Sequence, residues 1–244
     1  MTAAAGVLRR ILTADAAEEE ATLSLLVPNP ATPAWDPKRF GDEQILGLVR
    51  RLFLPGWPRS ARQVVFSAAE DRLDVSTLCI RTAETLAAEG DERVCLVETD
   101  FEQGQLEQRY GRTGNDGDLR FEATGAVRAS SRQIRKGVWL TGARAFLGER
   151  ENLHNLPLLR SRLGQMRREF DYAVIHAPSV CNSERLTLLA HVADGLVLSV
   201  EALRTRRVNA MRIRDRLLAA NVRLLGVVLQ ERTFPIPERL YRKL

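Results

Sequence analysis

Residues 64–77 read VVFSAAEDRLDVST, and residues 78–90 continue LCIRTAETLAAEG. The first run, Val64 to Ala68 (VVFSA), is short and apolar and predicts a buried strand, and Ser76 to Glu89 carries the amphipathic spacing of a helix. Further strand-like runs stand at Val94–Val97 (VCLV), Val138–Thr141 (VWLT), Tyr172–His176 (YAVIH), Gly195–Val200 (GLVLSV) and Leu224–Leu229 (LLGVVL). Helical stretches lie between them at Leu156–Phe170, Arg185–Val192 and Arg206–Ala220. Buried strands alternating with helices predict an α/β fold, a doubly wound and mostly parallel sheet with helices on both faces. In such sheets ligands bind beyond the carboxyl ends of the strands, so the residues that follow each strand carry the chemistry.

The flanks differ from this pattern. Residues 1–60 read as an N-terminal appendage: Val7, Leu8, Ile11 and Leu12 can share a helical face, and residues 28–37 (PNPATPAWDP) form a Pro-rich linker expected to be extended. An interaction helix is expected at residues 42–53, where Ile45, Leu48, Val49 and Leu52 fall at helical spacing, before Leu54-Pro55-Gly56-Trp57-Pro58 breaks the chain. The α/β domain then spans residues 61–244. Cys79, Cys95 and Cys181 are odd in number and widely spaced, which predicts buried thiols rather than a disulfide frame or a zinc site. No apolar run reaches the roughly 20 residues of a membrane span, and the N-terminus lacks the features of a signal peptide. A cytoplasmic protein is expected, peripheral to the inner membrane through a partner if it meets a membrane at all.

The basic residues are lopsided. Of 36 Lys and Arg only three are lysines, Lys38, Lys136 and Lys243. The net charge of +5 sits mostly in residues 201–244, which hold eleven bases and four acids. Arg204, Arg207, Arg212 and Arg216 there, with Arg50 and Arg51 in the early helix, are the candidate partner-binding residues. A basic stretch attracts nucleic acid, anionic lipid or an acidic protein tail, and it can equally be a solvated helix face.

From about Asp42 onward the chain resembles the cytoplasmic domain of the bacterial tyrosine autokinases of capsule and exopolysaccharide synthesis, within the P-loop ATPases that include the ParA and MinD type. The resemblance rests on ordered segments: SAAEDRLDVST (residues 67–77), LVETDFEQGQL (96–106), FDYAVIHAPSV (170–180), ADGLVLSVEALRTRR (193–207), LLGVVLQER (224–232) and FPIPERLYRKL (234–244). In the family the first is a phosphate loop of the form SAxPGEGKSTT, the second carries the DxD of a Walker A′ motif, and the third carries Walker B.

The motifs depart from the family where its chemistry lies. A phosphate loop works because small residues let backbone N–H groups curl around phosphates while Lys reaches the outer oxygens and a hydroxyl holds Mg²⁺. Aligned without gaps, Asp71 and Leu73 stand at glycine positions, Asp74 at the lysine and Val75 at the hydroxyl. A one-residue slip brings Ser76 to the hydroxyl and restores nothing else. Like and opposite unit charges about 4 Å apart at an effective dielectric near 20 differ by several kcal/mol, so Asp74 opposes a triphosphate. Glu98 and Asp100 keep two carboxylates in the DxD spacing, either for a metal and a water or as an acidic cap closing a strand. His176 replaces the Walker B Asp and is a poor substitute for a Mg²⁺ carboxylate. Gln230 stands where the family places an adenine-contacting Asn. The tail carries Tyr241 alone instead of a tyrosine cluster, and Leu46 interrupts the ring-forming motif that Glu43 and Arg50 loosely fit.

The resemblance therefore implies a catalytically degenerate autokinase-like protein, a regulatory or scaffolding component of exopolysaccharide assembly with no cofactor expected. Its partner would be a membrane polysaccharide co-polymerase or an active paralogue, in a homo- or hetero-oligomer, with no direct polysaccharide binding. Two alternatives stay open. One is a residual ATPase or tyrosine kinase using ATP and Mg²⁺ through Glu98, Asp100 and Arg72. The other is a ParA-like nucleic-acid binder, ranked last because aromatic and Lys/Gly-rich binding elements are missing.

Overall fold

The computed structural model describes residues 36–54, 60–111, 125–181 and 184–231. The chain divides into two units, Gly41–Arg232 and a second made of Met1–Phe40 with Thr233–Leu244. Of the second unit only residues 36–40 are described. The helical face at Val7–Leu12, the linker over residues 28–35 and the tail with Tyr241 lie outside the described residues.

Helix α1 spans Pro37–Leu52. It begins five residues before the expected start, inside the stretch expected to be extended. The Asp36 carboxylate accepts the Lys38 N–H at 2.9 Å, and Pro37 follows at the first helical position, where a missing N–H costs nothing. A proline that breaks a helix interior thus opens this one. Ile45, Val49, Leu52 and Phe53 are buried.

Among the described residues seven strands form one sheet: β1 (Gln63–Ala68), β2 (Val94–Glu98), β3 (Arg132–Arg135), β4 (Val138–Thr141), β5 (Tyr172–His176), β6 (Gly195–Glu201) and β7 (Leu224–Gln230), in the order β3-β4-β2-β5-β1-β6-β7. Every neighbouring pair is parallel except β3–β4. Every position of β1 and β2 is buried, which is why both read as continuous apolar runs rather than as alternations. β3 (RQIR) has one apolar residue and escapes any search for such runs. Its arginines protect that edge of the sheet from pairing with another chain.

The helices between the strands are α2 (Ser76–Glu89), α3 (Gln105–Tyr110), α4 (Ala143–Leu147), α5 (Leu156–Glu169), α6 (Glu184–Val192) and α7 (Arg207–Ala219). One face of the sheet buries Val65, Val97, Ile175 and Leu198 against Phe146, Leu159, Leu163, Leu189 and Leu217. The other buries Val64, Phe66, Leu96 and Val174 against Val49, Leu78, Cys79, Ala83 and Leu86. The sheet is therefore doubly wound. Among the described residues no helix is long and apolar enough to cross a membrane.

Candidate functional site

Because β1, β2 and β5 run parallel as neighbours, the loops after them converge at one edge of the sheet. They line a cavity of about 500 Å³ whose walls include Leu73, Val75, Asp100, Phe101, His176 and Ser179. This is where the fold places a ligand; of the residues singled out in the sequence, Asp71, Leu73, Val75, Asp100 and His176 line the cavity, while Asp74, Ser76 and Glu98 adjoin them without lining it.

The loop after β1 is held by its own side chains. Leu73 and Val75 are buried in the same core cluster as Leu78 and Cys79 of α2, so the positions aligned with a glycine and with the hydroxyl of a phosphate cradle are filled by apolar anchors. Asp74 turns its carboxylate over the first turn of α2. One oxygen accepts the Ser76 N–H at 2.8 Å and the Ser76 hydroxyl at 2.6 Å, and the other accepts the Thr77 hydroxyl at 3.2 Å. Partial burial pushes the Asp74 pKa up, yet the Ser76 and Thr77 hydrogen bonds and the Arg109 charge outweigh it and hold the carboxyl below its usual value. A helix N-terminus offers N–H groups and positive potential to an anion. Here the chain supplies that anion itself. The Ser76 hydroxyl, which the slipped alignment offers to a metal, is committed to Asp74. Asp74→Ala is expected to lower stability by about 1 kcal/mol, the usual worth of such a cap, with the loss present at neutral pH and vanishing on acidification as the wild-type carboxyl protonates. Urea titrations at two pH values measure it.

The loop is also tied across to β5. The Ser179 hydroxyl donates to Asp71, the Ser67 hydroxyl donates to the Pro178 carbonyl at 2.6 Å, and the Cys181 thiol donates to the Ala69 carbonyl at 2.9 Å. Cys181 is exposed, against the expectation of three buried thiols, because it falls in the loop after β5 rather than in an element. Cys79 and Cys95 are buried, and burial pushes both thiols up, Cys95 to about 12.

The floor of the cavity pairs two residues 78 apart in sequence. Glu98 and His176 are register partners at the carboxyl ends of β2 and β5, and the His176 Nδ1 lies 2.8 Å from the Glu98 Oε1. Glu98 is wholly buried and His176 nearly so. The same Glu98 oxygen accepts the N–H groups of Thr99 and Asp100, both at 2.9 Å, and its other oxygen accepts that of Leu106 at 3.0 Å. Burial favours the neutral imidazole, but the Glu98 hydrogen bond and charge, with Asp100 and Asp74, prevail and raise the His176 pKa. The pair thus favours the protonated imidazole beside the buried Glu98 carboxyl group. Asp100 accepts the N–H groups of Glu102 and Gln103 at 2.9 and 3.0 Å, which closes the turn after β2, and Glu102 pairs with Arg150.

The remaining sequence candidates stand apart from the cavity. Gln230 ends β7, where its carbonyl accepts the Ala202 N–H at 2.9 Å while its side-chain Nε2 is buried without a partner among the described residues. Arg50 pairs with Glu89 at 3.4 Å and Arg51 is exposed on α1. Arg204 pairs with Glu201, and Arg207, Arg212 and Arg216 stand exposed along α7.

One residue with a large role escaped the sequence. Arg162 is 1% exposed, and its guanidinium donates to the carbonyls of Phe146, Ala145 and Gly125, each at 2.8 Å, and to the Gln165 amide oxygen at 2.9 Å. Its spacing to Leu159, Leu163 and Met166 places it on the inner face of α5, a signal that the abundance of arginine obscures.

The donor set does not fit a magnesium nucleotide. The lysine position holds an anion already engaged at the helix terminus, the hydroxyl is taken, and Glu98 is saturated by N–H groups and an imidazole.

No protein-family model matches the sequence, and no curated protein matches it. Solved structures match in three dimensions. The chimeric protein CapA2B2 is 14% identical, with 83% of this chain and 86% of that one covered at a TM-score of 0.62. The VpsO kinase domain is 15% identical, covering 80% and 98% at 0.60. The kinase domain of the Escherichia coli tyrosine kinase ETK is 11% identical, covering 72% and 71% at 0.56. The MinD cell division protein of Aquifex aeolicus, a plasmid partition protein from Borrelia burgdorferi and a ParA family ATPase from Chlorobium tepidum match as well. At such identities the likeness is one of fold: this chain has the P-loop-type α/β fold of the bacterial tyrosine kinase domains and the MinD and ParA ATPases.

Proposed function

We propose that this protein is a catalytically degenerate relative of the tyrosine autokinases, acting by binding rather than by phosphoryl transfer. The observation that carries this is the buried Glu98–His176 pair, 2.8 Å across, which sets an imidazole, its pKa raised by that contact, against the carboxylate that the resemblance assigns to metal chemistry. Asp74 complements it at the terminus of α2, where its own carboxylate meets the N–H and hydroxyl groups that a phosphate would use. A domain whose charges are balanced from within needs no nucleotide to hold this edge of the sheet in shape. The placement in exopolysaccharide assembly, peripheral to the inner membrane on a co-polymerase or an active paralogue, follows from the resemblance in sequence.

Titration with a fluorescent ATP analogue in Mg²⁺ tests the proposal. The expected result is no saturable, Mg²⁺-dependent binding up to about 1 mM, the affinity that corresponds to roughly −4 kcal/mol. Micromolar, Mg²⁺-dependent binding overturns it. The residual-ATPase alternative draws on the open cavity beside Asp100. Phosphate release that disappears in Asp100→Ala supports that alternative, and no turnover above background removes it.

A further inference from the structure

Every large apolar side chain that stands exposed among the described residues lies between Leu203 and Leu229. Leu203 is 93% exposed and holds a left-handed backbone, φ +64°. That conformation crowds the Cβ of a leucine and persists only where the surroundings fix it. They do so here. Thr205 N–H donates to the Glu201 carbonyl at 3.0 Å, Glu201 N–H donates to the Thr205 hydroxyl at 3.0 Å, and Ala202 N–H donates to the Gln230 carbonyl at 2.9 Å. The turn so built sits at the end of the edge strand β7 and presents Leu203 to solvent.

The same edge carries more apolar surface. Val208, Met211 and Leu218 on α7, with Val227 and Leu229 on β7, are between 41% and 59% exposed. Val227 and Leu229 are register partners of Leu198 and Val200, which lie in the core cluster with Ile213 and Leu217 of α7, so they continue that face of the sheet beyond the helix. Arginines stand among these side chains. Residues 203–230 hold seven Arg and a single acid, Asp215. Arg204 and Arg214 pair with Glu201 and Asp215, whereas Arg206, Arg207, Arg212, Arg216 and Arg223 are exposed and form no ion pair with a described residue.

We propose that this edge binds the surface of an anionic lipid bilayer, with Leu203 entering the acyl boundary and the arginines holding headgroup phosphates. A two-fold contact with the same edge of a second copy would set these five arginines against the same five, and like charges oppose that contact. Nucleic acid would engage the arginines and leave the apolar side chains in water. A bilayer takes both, because cationic side chains gain from its negative surface while their apolar neighbours enter the interface, and a fluid surface demands no shape match. The proposal is independent of whether the cavity holds a nucleotide.

Flotation of the full chain with phosphatidylcholine vesicles, with and without phosphatidylglycerol as a major component, tests it. Binding is expected only to the phosphatidylglycerol vesicles and falls as salt rises. Leu203→Gly, which relieves the strained backbone, is expected to keep or raise the thermal midpoint while weakening vesicle binding about tenfold, the factor that burying one leucine supplies. Arg206→Gln with Arg207→Gln is expected to weaken binding and flatten its salt dependence. Failure to bind phosphatidylglycerol vesicles overturns the proposal, as does binding that Leu203→Gly leaves unchanged. Retardation of duplex DNA by a chain that ignores the vesicles overturns it in favour of nucleic acid.

Discussion

His176→Ala is expected to destabilise the protein by about 3–5 kcal/mol, the cost of leaving one member of a buried charged pair without the other. Glu98 is wholly buried and stays where it is, because three backbone N–H groups bind its two oxygens whatever stands at position 176. Those N–H groups place the loss at the lower end of the range, since they continue to support the anion. Glu98→Gln in the His176→Ala background removes the unpaired charge but sets an amide NH2 against the Leu106 N–H, so the double variant is expected to lose less than the sum of the two single losses, a coupling that two independent sites would not show. Urea unfolding of the two single variants and the double variant measures it. A loss below about 1 kcal/mol in His176→Ala overturns the charged pair.

The pair also fixes the sign of a pH dependence. The folded pKa of His176 is raised, so the imidazolium contributes its full stabilisation below the unfolded value of roughly 6.5 and loses it as pH rises through the folded value. Wild-type stability is therefore expected to fall across that window, while His176→Ala lacks this fall. At the acid end Asp74 acts in the opposite sense, since its lowered pKa makes its contribution present at neutral pH and lost on acidification.

Arg162→Met is expected to cost about 3 kcal/mol or more. Methionine fills much of the volume of the arginine stem, but it leaves the Phe146, Ala145 and Gly125 carbonyls and the Gln165 amide oxygen without the donor that binds them. Each acceptor buried without a partner costs on the order of 1–3 kcal/mol, less where water can enter. Burial lowers the Arg162 pKa, yet a guanidinium remains charged, so the pull of these oxygens on the cation is part of what holds α4 and the chain at Gly125 against α5. Arg162→Lys retains the charge with a single donor group in place of a fork, and an intermediate loss is expected. A methionine variant within about 1 kcal/mol of wild type in urea unfolding contradicts this role.

How much of this was legible before the chain folded depends on the kind of signal. The six parallel strands announce themselves as consecutive apolar residues, because five of them are covered on both faces and the edge strand β7 keeps the same run although Val227 and Leu229 are exposed. The edge strand β3 has no such run and takes its identity from its pairing with β4. The start of α1 at Pro37 follows from the side chain of Asp36 and the tolerance of a helix for proline at its first position, a local rule that the cluster of prolines before it masked. The solvated helix face read into the Arg-rich last stretch does not extend to Arg162, which lies under α4 because helical phase, not composition, sets the direction of a side chain.

The sequence by itself determined the layered α/β fold and the positions at which a ligand would be met. It also determined that no lysine stands in the loop after β1, since Lys38, Lys136 and Lys243 all lie elsewhere. Those properties follow from residue type and local spacing. Only the tertiary structure decided what replaced the missing groups. Parallel pairing of β2 with β5 in one particular register sets Glu98 beside His176 across 78 residues of sequence, and the path of the loop into α2 turns the Asp74 carboxylate onto the helix terminus. Charge balance inside a cleft depends on distance and burial, and both come into being only when the strands are laid side by side.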